Sequence, residues 1–293
     1  RRINMKKYKP IDFLMWIITH IWLIAAATMV FVPLMWMVSA AFAPGKLLSG
    51  VPLIPFSKFS MEHFNFIFSY HSNPASVMAD YTGAFIRTLQ IAVLNTIGVV
   101  FFSIITGYAF ARLRFKGKKP MLLTMMVLQM FPSFMGMIAL FLLFRQFGFL
   151  NKPNFLVLIY VTGAIPYNTF LVRGFMRNIP KSLDEAAAID GATPLQILRL
   201  ILFPLIVPIV GFIAVGAFMA PWMDYILQSI FLQPENMTVA VWLFRTTDPL
   251  NTLLYNPLNF MAGALLIAIP SMIVQFFMQK YMVYGLTSGA EKG

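Results

Sequence analysis

Six long apolar stretches constrain this chain more than any other feature of its sequence. They run near residues 14–39, 84–111, 121–144, 154–175, 201–222 and 258–279. A helix of about 20 apolar residues crosses the roughly 30 Å hydrocarbon core of a bilayer. The chain is 59% hydrophobic and 11% charged, whereas a soluble domain has about 25% charged residues. The sequence therefore predicts an all-α, polytopic integral membrane protein with six transmembrane helices.

The Lys and Arg residues are distributed unevenly among the segments that connect these spans. With the N-terminus inside, 16 of the 22 lie in or beside the internal segments 1–13, 112–120, 176–200 and 280–293, and the remaining 6 lie in or beside the external loops 40–83, 145–153 and 223–257. Because basic residues are retained on the cytoplasmic side, both termini are expected to be cytoplasmic. The same asymmetry accounts for the net charge of +12 without a nucleic acid partner.

Several kinds of chemistry are disfavoured by residues that the sequence lacks. The absence of cysteine excludes disulfides and thiolate sites, and three scattered histidines make a zinc site improbable. The span interiors contain essentially no ionisable residues, which usually mark ion and proton paths. No metal site and no catalytic residue are therefore predicted, and coupling to protons or sodium is disfavoured.

Uncharged polar residues and helix breakers within the spans are candidates for a substrate path. A proline at membrane depth frees a backbone carbonyl, which is tolerated beside protein or a water-filled cavity. An ordinary packing kink is the alternative for each position. The candidates are Asn95, Gln129, Pro132, Tyr167 and Asn168.

Small residues four positions apart indicate where helices approach each other closely. Ser103, Gly107 and Ala111 have this spacing in the second span, and Gly216 and Ala220 have it in the fifth. This pattern predicts helix packing and carries no information about a substrate.

The segment 178–204 combines helix-start and helix-stop signals. Ser182 followed by Glu185 has the spacing of a capping box, so a helix is predicted from Leu183. The pair Asp190-Gly191 should end it, since glycine adopts the left-handed conformation after a last turn. Thr193 should then cap a second helix, with Pro194 at its first position and Gln196 completing a capping box. Two short helices meeting at a glycine turn form a rigid elbow, which is typical of a docking element.

The same segment resembles a known signature. Glu185-Ala186-Ala187, Gly191, and Ile201 with Pro204 match the EAA motif of permeases of binding-protein-dependent ABC importers, with Phe203 where leucine is usual. Further stretches resemble the second permease subunit of carbohydrate importers of the maltose and alginate type. These stretches are 107–112 (Gly-Tyr-Ala-Phe-Ala-Arg), 129–132 (Gln-Met-Phe-Pro) and 284–289 (Tyr-Gly-Leu-Thr-Ser-Gly).

The resemblance implies a subunit of a larger importer in the bacterial inner membrane. Its partners would be a second permease subunit, two cytoplasmic ATPase subunits, an external solute-binding protein and the lipid bilayer. ATP and Mg would be used by the ATPase subunits, because this chain has no Walker sequence and is expected to bind no cofactor. The resemblance divides the chain into 1–83, a permease core 84–286 and a cytoplasmic tail 287–293. It assigns coupling to the ATPase to Glu185, Ala186, Ala187, Asp190 and Gly191.

Two other classes of protein remain as alternatives. A secondary carrier or channel needs no ATPase, but the spans lack the charges such proteins usually contain. A membrane-embedded enzyme would need reactive groups at membrane depth, whereas Asp184, Glu185 and Asp190 lie in the predicted cytoplasmic elbow. The sequence does not identify the solute, which could be a maltodextrin, alginate or another saccharide.

Overall fold

A computed structural model describes residues 10–53, 58–69, 80–131, 133–251 and 254–290, with the backbone alone for 10–12, 133 and 280–290. All regular structure in these ranges is helical. The helices are α1 (Pro10–Ala41), α2 (Glu62–Ser69), α3 (Tyr81–Arg112), α4 (Lys118–Gln129), α5 (Ser133–Gln146), α6 (Leu156–Arg177), α7 (Ser182–Ile189), α8 (Pro194–Gln196), α9 (Phe203–Met223), α10 (Ile226–Phe231), α11 (Val239–Thr247) and α12 (Pro257–Ala290). Short 3₁₀ turns occur at Pro153–Phe155 and Pro234–Asn236, and a π-helical stretch occupies Ile197–Leu202.

Five helices in the described residues are long and apolar enough to cross a membrane, namely α1, α3, α6, the run that ends in α9, and α12. A sixth crossing is possible if α4 and α5 count as one broken span. The prediction of one continuous helix over 121–144 is wrong, because α4 and α5 are bent by 99° at this break. Pro132 lies in the break, outside the described residues. A proline cannot donate a backbone hydrogen bond and disfavours the helical conformation of the residue before it.

The chain divides by contacts into two compact units. One contains the described residues up to Ile67 together with Thr246–Leu265, and the other contains Phe68–Arg245 with the rest of α12. The domain boundaries predicted at residues 84 and 287 stay predictions.

In the larger unit, α3 packs against both α6 and α9. A Cβ at Gly98 would lie 2.7 Å from a methyl of Val161, and one at Gly107 would lie 2.5 Å from a methyl of Val172. The predicted close approach at Gly107 is therefore confirmed, and α6 is the helix that approaches. Thr106 and Thr169 add a hydroxyl contact of 2.6 Å between the same two helices. Van der Waals packing and such interhelical hydrogen bonds hold helices together in a membrane.

At the other end of α3, two loops of this unit are joined through Asn151. Its backbone N–H donates to the Phe231 carbonyl at 2.9 Å, and its side-chain oxygen accepts from the Gln233 N–H at 2.9 Å. Its side-chain nitrogen donates to Glu235 Oε1 at 2.6 Å. Nearby, Arg87 Nε donates to the Met237 carbonyl at 3.0 Å. The segments 145–153 and 231–239 therefore meet near the first turns of α3.

In the smaller unit, the imidazole of His63 is buried and contacts two other segments. Its Nδ1 lies 2.8 Å from Asn259 Oδ1, and its Nε2 lies 2.8 Å from the Ala43 carbonyl. Phe42 stacks on Phe59, with ring centroids 5.4 Å apart. These contacts fix α2 against the end of α1 and the start of α12.

Candidate functional site

The elbow is built around a glycine turn at the end of α7. Gly191 has a φ of +82°, in the left-handed region. The Ala192 N–H donates to the Ala187 carbonyl at 2.9 Å, and the Gly191 N–H donates to the Ala188 carbonyl at 3.1 Å. These two bonds form a Schellman motif, which satisfies the last carbonyls of a helix. The predicted helix stop at Asp190-Gly191 is confirmed.

A capping box starts the next helix at Thr193, as predicted. The Gln196 N–H donates to Thr193 Oγ1 at 3.4 Å, while Gln196 Oε1 accepts from the Thr193 N–H at 2.7 Å. Pro194 occupies the first turn, where its missing N–H is no loss. The direction in which the chain leaves the glycine turn is therefore fixed locally.

Two details of the elbow differ from the prediction. The capping box at Ser182 and Glu185 does not form, and α7 begins at Ser182 with Lys181 at its N-cap. Lys181 already has helical dihedrals (φ −68°, ψ −22°), whereas a capping hydroxyl needs an extended residue at the N-cap. The second helix is also not a separate short one, because Pro194–Met223 forms one continuous 30-residue run. No proline or glycine interrupts 195–203, so the run passes through the π-helical stretch into α9.

The elbow has a buried side and an exposed side. Ala187 is buried and belongs to the core cluster that also contains Ile197 and Leu198. Glu185 is exposed, and Ile189 exposes 86% of its surface. Ala186 and Asp190 are also exposed. An exposed acidic and apolar face on a rigid turn can bind a complementary protein surface.

The last turn of α3 holds the elbow through charged and polar contacts. Arg112 Nε lies 2.5 Å from Asp184 Oδ2, and Arg112 Nη2 donates to the Ile179 carbonyl at 3.0 Å. Tyr108 OH donates to the Pro194 carbonyl at 3.3 Å. Sequence reasoning missed the ion pair. The one available signal was that residues 112 and 184 carry opposite charges in segments predicted to lie on the same side.

Three of the candidate path residues each donate a hydrogen bond to a different backbone carbonyl. Asn95 is 1% exposed, and its Nδ2 donates to the Ala217 carbonyl of α9 at 2.7 Å. Gln129 Nε2 donates to the Gly163 carbonyl at 3.2 Å, which joins α4 to α6. Asn168 Nδ2 donates to the Ala164 carbonyl of its own helix at 2.9 Å, and the Tyr167 side chain is exposed. Pro132 lies outside the described residues, and the role of all five in a path stays a prediction.

A cavity of about 480 Å³ lies beside Gly163, between α5, α6 and the start of α10. Its wall is mostly apolar, and Asp224 is its one charged side chain among the described lining residues. Asp224 Oδ2 accepts from Tyr160 OH at 2.7 Å, and Oδ1 accepts from the Leu227 N–H at 3.0 Å. A carboxylate and a phenol in an otherwise apolar cavity can hydrogen-bond hydroxyl groups of a ligand. The sequence analysis assigned no role to Asp224.

Comparison with known proteins identifies the class to which this arrangement belongs. Residues 99–287 match the model of the family described as the binding-protein-dependent transport system inner membrane component. The match covers more than half of the chain, so the chain belongs to this family. It is a multi-pass, non-catalytic permease subunit of a binding-protein-dependent ABC importer, the family that the elbow motif predicted.

Individual relatives match nearly the whole chain. The galactooligosaccharides transport system permease protein GanQ of Bacillus subtilis is 36% identical over 268 residues, covering 91% of this chain and 92% of its own. The maltose/maltodextrin transport system permease protein MalG of Vibrio vulnificus is 35% identical over 301 residues, covering 99% of each chain. The crystal structure of a bacterial ABC transporter involved in the import of the acidic polysaccharide alginate contains a similar chain. The TM-score is 0.77 at 24% identity, over 94% of this chain and 98% of that one, and it supports the fold.

Proposed function

We propose that this chain is one of two permease subunits that move an oligosaccharide across the inner membrane, driven by ATP hydrolysis in separate ATPase subunits. The observation that carries the proposal is the elbow, where a Schellman turn and a capping box fix an exposed face around Glu185 and Ile189. This face would insert into a cleft of an ATPase subunit, while Ala187 anchors it to the membrane helices. ATP and Mg would bind to the ATPase partner and not to this chain.

The relatives and the cavity both support a saccharide as the solute. Relatives above 30% identity are named for galactooligosaccharide, maltodextrin and maltose transport. Saccharide hydroxyl groups suit the Asp224 and Tyr160 oxygens. Since the described lining has a carboxylate and no cation, we further propose a neutral saccharide in preference to an anionic one.

Reconstitution of the complete importer tests this proposal. The complex of both permease subunits and the ATPase would be placed in liposomes, and its solute-binding protein would be supplied outside. Uptake of maltotriose, a galactooligosaccharide and an alginate oligomer would each be measured with and without internal ATP. We expect ATP-dependent uptake of a neutral oligosaccharide. Uptake without ATP would favour a carrier or channel, and uptake of the alginate oligomer alone would contradict the neutral substrate.

Gln129 provides a test of the path. We expect Gln129→Leu to lower the transport rate while leaving association with the ATPase intact, because it removes the amide that joins α4 to Gly163 beside the cavity. Thr162→Val is the matched control, since Thr162 bonds a carbonyl of its own helix. Equal transport by both variants and the wild type would make Gln129 a packing residue.

A further inference from the structure

A nearly buried ion pair connects the last residue of α3 to the elbow. The Arg112 side chain is 6% exposed and the Asp184 side chain 19% exposed. Arg112 also donates to the Ile179 carbonyl, which lies just before α7. The guanidinium therefore contacts both the approach to the elbow and its first turn.

A gain in folding stability does not explain why this ion pair is buried. Removing two opposite charges from water costs free energy. Their mutual attraction offsets this cost only if the geometry is good and the remaining carboxylate oxygens are hydrogen-bonded. Here Asp184 Oδ1 and Arg112 Nε are both buried without a hydrogen bond partner, so the short contact between Nε and Oδ2 is an ion pair without hydrogen-bond geometry. A buried ion pair that adds little stability can still fix the position of one element on another.

The position of the pair matters because α3 is far from the elbow in sequence. The helices α6 and α9 flank the elbow along the chain and are connected to it covalently, whereas α3 is reached only across space. α3 in turn contacts α6 at Gly107 and Val172, and α9 through Asn95 and Ala217. Arg112 therefore connects the elbow directly to the helix that packs against both α6 and α9.

We propose that the Arg112–Asp184 ion pair transmits movement of the elbow to α3, so that both are positioning residues for the coupling of ATP hydrolysis to transport. This inference rests on the proposed function, in which the elbow contacts an ATPase subunit. It predicts that a weakened pair allows the ATPase to bind and turn over while fewer solute molecules are moved per ATP. A merely structural pair would instead change the amount of assembled complex and leave this ratio unchanged.

The test compares variants in the reconstituted complete importer. Asp184→Asn and Arg112→Lys weaken the pair, Asp184→Glu retains the charge, and Arg114→Gln removes a nearby exposed cation as the matched control. Three quantities would be measured for each: recovery of the ATPase subunit with the permease, ATPase activity stimulated by the loaded solute-binding protein, and solute transported per ATP.

We expect Asp184→Asn and Arg112→Lys to retain the ATPase subunit and to transport less solute per ATP hydrolysed than the wild type. Asp184→Glu should have a ratio of transport to hydrolysis between those of Asp184→Asn and the wild type, and Arg114→Gln should match the wild type. An unchanged ratio in Asp184→Asn and Arg112→Lys overturns the inference, and so does loss of the ATPase subunit from both. If the wild-type complex itself shows no ATP-dependent transport, it is the proposed function that fails.

Discussion

At the scale of single residues, the larger unit depends on positions where a side chain would not fit. Gly107 faces Val172 so closely that a Cβ would lie 2.5 Å from its Cγ1 and 2.6 Å from its Cβ. The Val172 Cβ cannot rotate away, because it is attached directly to the backbone. The contact therefore fixes the distance between α3 and α6 one turn before Arg112.

Gly107→Ala should destabilise the protein by about 1–3 kcal/mol, as overpacking of a tight core does. Thermal unfolding of the purified complex in detergent should show a lower midpoint. Gly174→Ala is the control, since a Cβ at Gly174 has nothing within 4 Å. The double variant Gly107→Ala/Val172→Ala should recover part of the loss, and a Gly107→Ala protein as stable as the control would contradict the close approach.

At the scale of elements, the apolar pattern predicted five of the six spans, whereas local chemistry predicted the turn of the elbow but neither the start of α7 nor the length of the helix that follows. The stop at Gly191 and the start at Thr193 depend on neighbouring residues alone, so the sequence was sufficient for both. The capping box at Ser182 failed because the helical turn begins one residue earlier. The contact between Arg112 and Asp184 joins distant parts of the chain, and no local pattern encodes it.

At Gly191 the backbone conformation, and not a lack of space, disfavours other residues. A side chain there would meet nothing within 4 Å, yet its φ is +82°. A left-handed conformation costs most residues about 1–2 kcal/mol, and β-branched residues are the least tolerant. The Gly191→Val protein should reach the membrane at near-normal levels, and less ATPase subunit should co-purify with it than with the wild type. Gly191→Asn should resemble the wild type, because asparagine adopts this conformation more readily.

A Gly191→Val protein that transports at the wild-type rate would contradict this view of the elbow. Loss of the variant from the membrane, with no change in the ATPase bound by the remainder, would also contradict it. Quantitative blotting of membranes measures the amount of the variant, and blotting of the purified complex measures the ATPase subunit bound to it.

At the scale of the whole molecule, contacts within the larger unit agree with the alternation of segments predicted from charge. Asn151 joins two segments that the basic residues place outside, and Arg112 joins two segments that they place inside. An even number of crossings is needed to return both termini to one side. With both termini cytoplasmic, as the charges predict, the bent pair α4 and α5 would complete one crossing together, although neither helix is long enough to cross alone.

Single cysteines test this arrangement without interference, because the chain contains no native cysteine. Cysteines at Lys58 and Lys152 should react with an impermeant thiol reagent added outside intact cells, since both positions belong to segments predicted to be external. A cysteine at Lys181, on the elbow, should react only after the membrane is permeabilised. Lys58 and Lys181 are both exposed, so a difference between them reports sidedness and not burial. Labelling at position 181 in intact cells would place the elbow outside, where no cytoplasmic ATPase could bind it, and would overturn the predicted orientation and the coupling scheme together.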